Sequence, residues 1–215
     1  MSITPALLPS LLQSLADVIA ANAETVTALD QAIGDGDHVY NLQRGINALL
    51  PQGEALAQLD WAAVWQKIGF CLMSTVGGAA GSLYGTLFIS MGKAVQGRTI
   101  TLASFADIFA QGVEAVKHRG KADIGEKTLL DVFIPVANSL QQAATQSVAL
   151  AEVLNTLAQV AAAGMESTRD MLATKGRASF LGERSRGHID AGAKTAQLMI
   201  AAIIGVLAKQ STTPA

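Results

Sequence analysis

The sequence predicts an all-α protein, on three observations. Apolar residues recur at helical spacing in almost every segment of the 215 residues, and nowhere does a sustained apolar/polar alternation mark a strand. Half of the residues are hydrophobic but only 5% are aromatic, so the core is built from Ala, Leu, Val and Ile, which suits helices packed close together. No Pro/Ser-rich linker, charge block or internal repeat divides the chain, and residues 1–215 are expected to form a single domain.

The elements follow in order. A first helix, 5–22, opens with Thr4 as N-cap and Pro5 at its first position. A short second segment, 23–32, stands alone or merges with its neighbour, and a third covers 38–50. Beyond a loop at 52–58 come 59–75 and 79–95. The helix at 104–119 starts with Ser104 as N-cap and Asp107 three residues on. It ends with Lys117, His118 and Arg119 in its last turn, and Gly120 is placed for a left-handed cap. Thr128 with Asp131 repeats the start signal for 128–144, where Pro135 predicts a kink. Segments 148–173 and 191–209 complete nine candidates, with a long loop at 175–190 between them.

Composition excludes several classes. A net charge of −2 leaves no basic field for sequence-independent nucleic-acid binding. The apolar run Leu198–Ala208 is well short of the roughly 18–20 residues that span a bilayer, and reads as a buried helix. The first basic residue is Arg44, so the positive n-region of a secretory signal is absent, and Cys71 is the single cysteine. The cytoplasm is the expected compartment, with no membrane partner and no internal disulfide.

Chemistry concentrates in a few strings. In DQAIGDGDHVYN, Asp30–Asn41, three aspartates and a histidine crowd a loop with two glycines. Carboxylates this close repel unless a cation lies between them, and oxygen-only ligands point to Mg²⁺ or another hard ion. An EF-hand fails, because the twelfth position from Asp35 is Ile46. The same aspartates also suit a turn and an N-cap for the helix near His38, so both readings stand. Gly77, Gly81 and Gly85 share one helix face, where either a neighbouring helix or phosphate groups can approach the backbone. GKADIGEKT, Gly120–Thr128, comes within one residue of a phosphate-binding P-loop, but Glu126 shifts Lys127 out of register and a helix precedes it. The 175–190 loop gathers Lys175, Arg177, Arg184 and Arg186. That donor set suits bidentate phosphate contacts, or simply a solvated loop. His118 and Cys71 take structural roles, at a helix end and in the core.

Taken in order, IGDGDH, GGAAG, GKADIGEKT and KGRASFLGERSRGHIDAGA resemble the ADP-binding L subunits of bacterial dihydroxyacetone kinases over most of the chain. The resemblance implies a barrel of about eight antiparallel helices with the nucleotide held by loops at one end. It implies that Asp30, Asp35 and Asp37 hold a pair of Mg²⁺ ions against the phosphates of ADP or ATP. It also implies that His38, Asn41, Gly78, Ala79, Gly120, Leu129, Arg177, Asp190 and Gly192 contact the nucleotide, with Arg177 as the group that grips the transferring phosphoryl. Val39, Tyr40 and Ala80 depart from the family pattern, where Gly, a small residue and Ser are usual.

The implied activity is phosphoryl transfer to dihydroxyacetone bound covalently on a separate K subunit. ADP would stay bound and be rephosphorylated by a phosphoenolpyruvate-dependent M-type phosphocarrier subunit, or ATP would exchange. A tetrulose is an alternative substrate, and a regulatory nucleotide-binding module engaging a transcription regulator is an alternative role. A lipid-handling domain is a third reading, and a homodimer is an assembly the resemblance admits.

Overall fold

The computed structural model describes residues 3–146 and 148–212. Among them are ten α-helices and no strand: α1 (Leu8–Ala21), α2 (Ala23–Ile33), α3 (His38–Leu49), α4 (Gly53–Leu56), α5 (Trp61–Thr75), α6 (Gly78–Ala94), α7 (Leu102–Gly120), α8 (Leu130–Ala144), α9 (Leu150–Ser167) and α10 (Ala191–Thr212). From α5 to α10 each helix packs on the next, α10 packs on α1, α1 on α3, and α3 on α5. Eight helices thus close into a ring around a shared apolar core, the barrel that the sequence motifs implied. α2 stands apart from α1, bent by 62° from it, and leads the chain into the aspartate loop.

Small residues set the closest approach. A Cβ on Gly85 would come within 3.0 Å of the Gly69 carbonyl oxygen, and one on Gly92 within 3.1 Å of the Ala62 carbonyl oxygen. Gly81, Gly85 and Gly92 therefore form a packing surface of α6 toward α5 and the turn that follows it, whereas Gly77 faces Asn41 and Arg44 of α3. Six of the ten aromatic side chains form one continuous series through the core, Trp61, Trp65, Phe105, Phe109, Phe133 and Tyr84, at centroid spacings of 5.1–6.5 Å. Its last member, Tyr84, reaches the end of the barrel that carries the site.

Several local expectations change. Ser104 is not the N-cap of α7: Thr101 is, and Ser104 is its N3 partner in a reciprocal box, each backbone N–H meeting the other's hydroxyl. The left-handed cap falls on Lys121 (φ 48°) instead of Gly120. At α8 the N-cap position is Leu129, and Asp131 reaches back to accept from the backbone N–H groups of Thr128 (2.7 Å) and Gly125 (2.6 Å). The helix continues unbroken through Pro135. The loop at 52–58 holds the one-turn α4, the helix read to 173 ends at Ser167 and continues as a 3-10 turn, and the 175–190 loop is mostly a 3-10 segment, Arg177–Ser185.

Two burial expectations also fail. Cys71 is half-buried at the edge of the core. Beyond Leu198 the apolar run of α10 is half-exposed, with Ile203 37% exposed, because α1 and α9 cover only part of its circumference. The run also belongs to a longer stretch, Ala191–Gln210, of mean hydropathy 1.6, the one described helix long and apolar enough to match a membrane span.

Candidate functional site

Alternating helix direction brings the N-termini of α3, α6, α8 and α10 to one end of the barrel, together with the loops that precede them. Each N-terminus directs the positive end of a helix dipole there, so four of them converge on a region suited to anions, although the first N–H groups of α8 are already bonded to Thr128 and Leu129. Side-chain bonds tie these loops together. Arg177 pairs with Asp35 (2.9 Å), Lys175 with Glu126 (3.2 Å), and Thr174 donates to Glu126 (2.8 Å).

Asp30, Asp35 and Asp37 offer carboxylate oxygens that lie within 4.8 Å of one another. Asp30 is placed by the end of α2 and accepts from the His38 backbone N–H at 3.1 Å, which folds the loop back on itself. Three hard oxygen donors at this spacing, open to solvent on one side, fit a divalent cation such as Mg²⁺ with water completing its shell. Arg177 meanwhile supplies the positive charge beside Asp35.

Beside the cluster, Gly78 opens α6 with φ +64° and nothing within 4 Å of where its Cβ would be. The left-handed turn and the empty space leave its backbone accessible to a ligand. Asn41 is buried next to Gly77 and accepts from Arg44 Nη2 at 3.2 Å. A cleft of about 290 Å³ adjoins, and Ala79, Leu83, Gly120, Leu129 and Gly176 are among the residues lining it. Its apolar walls suit a flat heterocycle, with the charged loops at its mouth.

Asp190 lies below the cluster. It is the N-cap of α10, its Oδ2 accepting from Ala193 N–H at 2.7 Å, and its own N–H donates to Thr168 Oγ1. Burial pushes its carboxyl up to about 7 from the usual 3.8; Asp131 and Asp30 push the same way, and the Ala193 N–H and Lys127 oppose them. The folded chain therefore holds this proton more tightly than the unfolded chain. Between pH 4 and pH 7 the contribution of Asp190 to stability falls as pH rises, and it levels off above the folded value. Chemical denaturation of the ligand-free protein is expected to show this loss in wild type and not in Asp190→Asn, whose amide still caps α10. Parallel stability curves for the two proteins would refute the assignment.

Sequence reasoning missed Lys127. Set aside as out of register, it has φ +61°, is 2% exposed, and its Nζ donates to the Thr168 carbonyl (2.5 Å) and to the carbonyls of Arg169 (3.4 Å) and His188. It fastens the 120–130 loop to the end of α9 and to the segment before α10. Thr195 was missed as well. It is fully buried in the second turn of α10, with His38 Nε2 2.9 Å from its hydroxyl. Burial lowers the His38 pKa, against the pull of Asp30 and Asp37. Neither contact has a signal in local sequence, since the partners lie at least 41 residues away.

Comparison with known proteins identifies the family and the fold. The DAK2 domain family model matches residues 32–205. The ADP-binding subunit DhaL of the PEP-dependent dihydroxyacetone kinase of Escherichia coli (strain K12) is 40% identical over 185 residues, 86% of this chain and 88% of its own length. The corresponding subunit of the PTS-dependent dihydroxyacetone kinase of Lactococcus lactis is 37% identical over 190 residues, 88% of this chain and 91% of its own. Among solved structures, the dihydroxyacetone kinase of C. freundii in complex with AMP-PNP and Mg²⁺ superposes with a TM-score of 0.71 at 23% identity. That match covers 95% of this chain, which spans about a third (34%) of that longer enzyme.

Proposed function

Because the chain belongs to the DAK2 domain family, we propose that it is the ADP-binding, Mg²⁺-dependent subunit of a cytoplasmic dihydroxyacetone kinase, acting as one nucleotide-binding domain. The observation that carries this is the triad Asp30, Asp35 and Asp37 set against four converging helix N-termini. Carboxylates alone repel a nucleotide; carboxylates beside four helix N-termini can hold phosphates through a shared cation.

Asp30, Asp35 and Asp37 would hold the metal, a pair of ions if the loop binds as its motif implies. Bound there, Mg²⁺ neutralises phosphate charge and fixes the line of phosphoryl transfer. Gly78 and Ala79 would give the phosphates close backbone approach, and Leu129 with Gly120 would face the base in the cleft. Asn41 shapes the Gly77 turn, and His38 stands at the N-terminus of α3 between cluster and core. Asp190 and Gly192 support the start of α10 beneath. Arg177 now pairs with Asp35 from an exposed position. With Asp35 engaged by a cation, the planar guanidinium of Arg177 would be free to grip phosphate oxygens bidentately and to stabilise charge that develops in transfer.

The relatives are named as ADP-binding subunits of dihydroxyacetone kinases, so the acceptor would come on a separate K subunit. The names of the relatives support a relay in which an M-type phosphocarrier regenerates ATP on the chain from phosphoenolpyruvate, with ADP retained. The purified chain, given ATP, Mg²⁺ and dihydroxyacetone, is therefore expected to produce no dihydroxyacetone phosphate. Adding the K subunit together with the phosphocarrier and its phosphoenolpyruvate supply restores turnover in an enzyme-coupled assay, and native mass spectrometry finds ADP on the chain. Robust turnover by the chain alone would overturn the partner requirement.

A further inference from the structure

His38 opens α3, and its Nε2 lies 2.9 Å from Thr195 Oγ1 on α10. The Thr195 hydroxyl donates to the Gly192 carbonyl at 3.1 Å. A hydroxyl has one hydrogen and two lone pairs. A hydrogen spent on the Gly192 carbonyl, which can only accept, makes Thr195 an acceptor toward the ring and calls for a hydrogen on the nitrogen that faces it.

We infer that Thr195 is a positioning residue: it holds His38 as the Nε2–H tautomer and leaves Nδ1 as the ring atom available to the site. The backbone of the same residue is fixed independently by Asp30. His38 is thus held at two points, N–H to the metal-triad carboxylate and ring to the buried hydroxyl. A ring free to turn over would offer a ligand either a donor or an acceptor; a ring held through Nε2 offers one defined face. Outer contacts of this kind typically change metal or ligand affinity tenfold to a hundredfold when removed.

The functional part of this inference rests on the proposed nucleotide role, whereas the tautomer does not. Long-range ¹H–¹⁵N spectra of the ligand-free, ¹⁵N-histidine-labelled chain, at a pH where the ring is neutral, read the tautomer directly. The other two histidines, His118 and His188, are assigned by His118→Gln and His188→Gln. Wild type and Thr195→Ser are expected to show the Nε2–H pattern for His38, and Thr195→Val a population shifted toward Nδ1–H. Calorimetry is expected to give about tenfold weaker Mg²⁺·ADP binding for Thr195→Val and binding within about twofold of wild type for Thr195→Ser. An Nδ1–H pattern in wild type overturns the inference whether or not Thr195→Val folds. So does a shifted tautomer in Thr195→Val with unchanged Mg²⁺·ADP affinity. If wild type shows the Nε2–H pattern yet binds no Mg²⁺·ADP, the tautomer assignment stands and the proposed nucleotide role fails.

Discussion

Asp35→Asn and Asp37→Asn proteins are expected to lose Mg²⁺-dependent ADP binding by on the order of a hundredfold, about 2.8 kcal/mol. Each change removes a formal charge from a cluster whose oxygens lie within 4.8 Å of one another, so the cation that would bridge carboxylate and phosphate loses part of its charge balance. Asp30→Asn is expected to bind ADP weakly for the same reason, while its amide oxygen still accepts from the His38 N–H. The ligand-free proteins separate this from a folding defect. Three neighbouring carboxylates repel, and the Asp35–Arg177 pair is exposed and worth at most about 1 kcal/mol. Thermal midpoints without ligand should therefore stay close to wild type, and only the stabilisation gained on adding Mg²⁺ and ADP should disappear. Calorimetry showing unchanged ADP affinity in all three variants would remove the metal site.

Lys127→Met is expected to produce the largest loss of stability. The ammonium is held by backbone carbonyls of two segments, Thr168–Arg169 and His188, in a place almost closed to water. Methionine fills the same volume but donates nothing, and hydrogen bonds from a charged donor contribute roughly 1.5–3 kcal/mol. With buried carbonyls left unpaired as well, a loss of about 3 kcal/mol follows, or roughly 6–12 °C in Tm for a chain of this size. Nucleotide affinity should fall too, since Leu129 in the cleft and Asp190 beneath the cluster sit on the strands of chain that Lys127 joins. A Lys127→Met protein within about 0.5 kcal/mol of wild type would show that the buried ammonium is replaceable.

The aspartate loop was legible because its chemistry is local. Asp30, Asp35 and Asp37 fall within eight residues, and any compact turn through Gly34 and Gly36 brings their oxygens together. Arg177 was legible as a phosphate-type donor, yet its present partner, Asp35, depends on how the 3-10 segment folds over α2. Asp190 was placed among nucleotide contacts by motif. The structure gives its carboxylate a capping role at α10, which a motif cannot distinguish from a ligand contact.

By itself the sequence determined the helices, because apolar spacing acts within a few turns, and the acidic loop, because its ligands are neighbours along the chain. Helix ends were decided less well. Thr101 and Ser104 compete for one capping position, and geometry alone selects Thr101. Tertiary structure decided what depends on burial and on distant partners. It closed the ring through α1, α3 and α10, gathered four helix N-termini at one end, and buried Lys127 among carbonyls 41 and more residues away. It also set Thr195 behind His38 across 157 residues. A polar side chain acquires its role from the water it loses and the partner it meets, and neither is specified until the helices have packed.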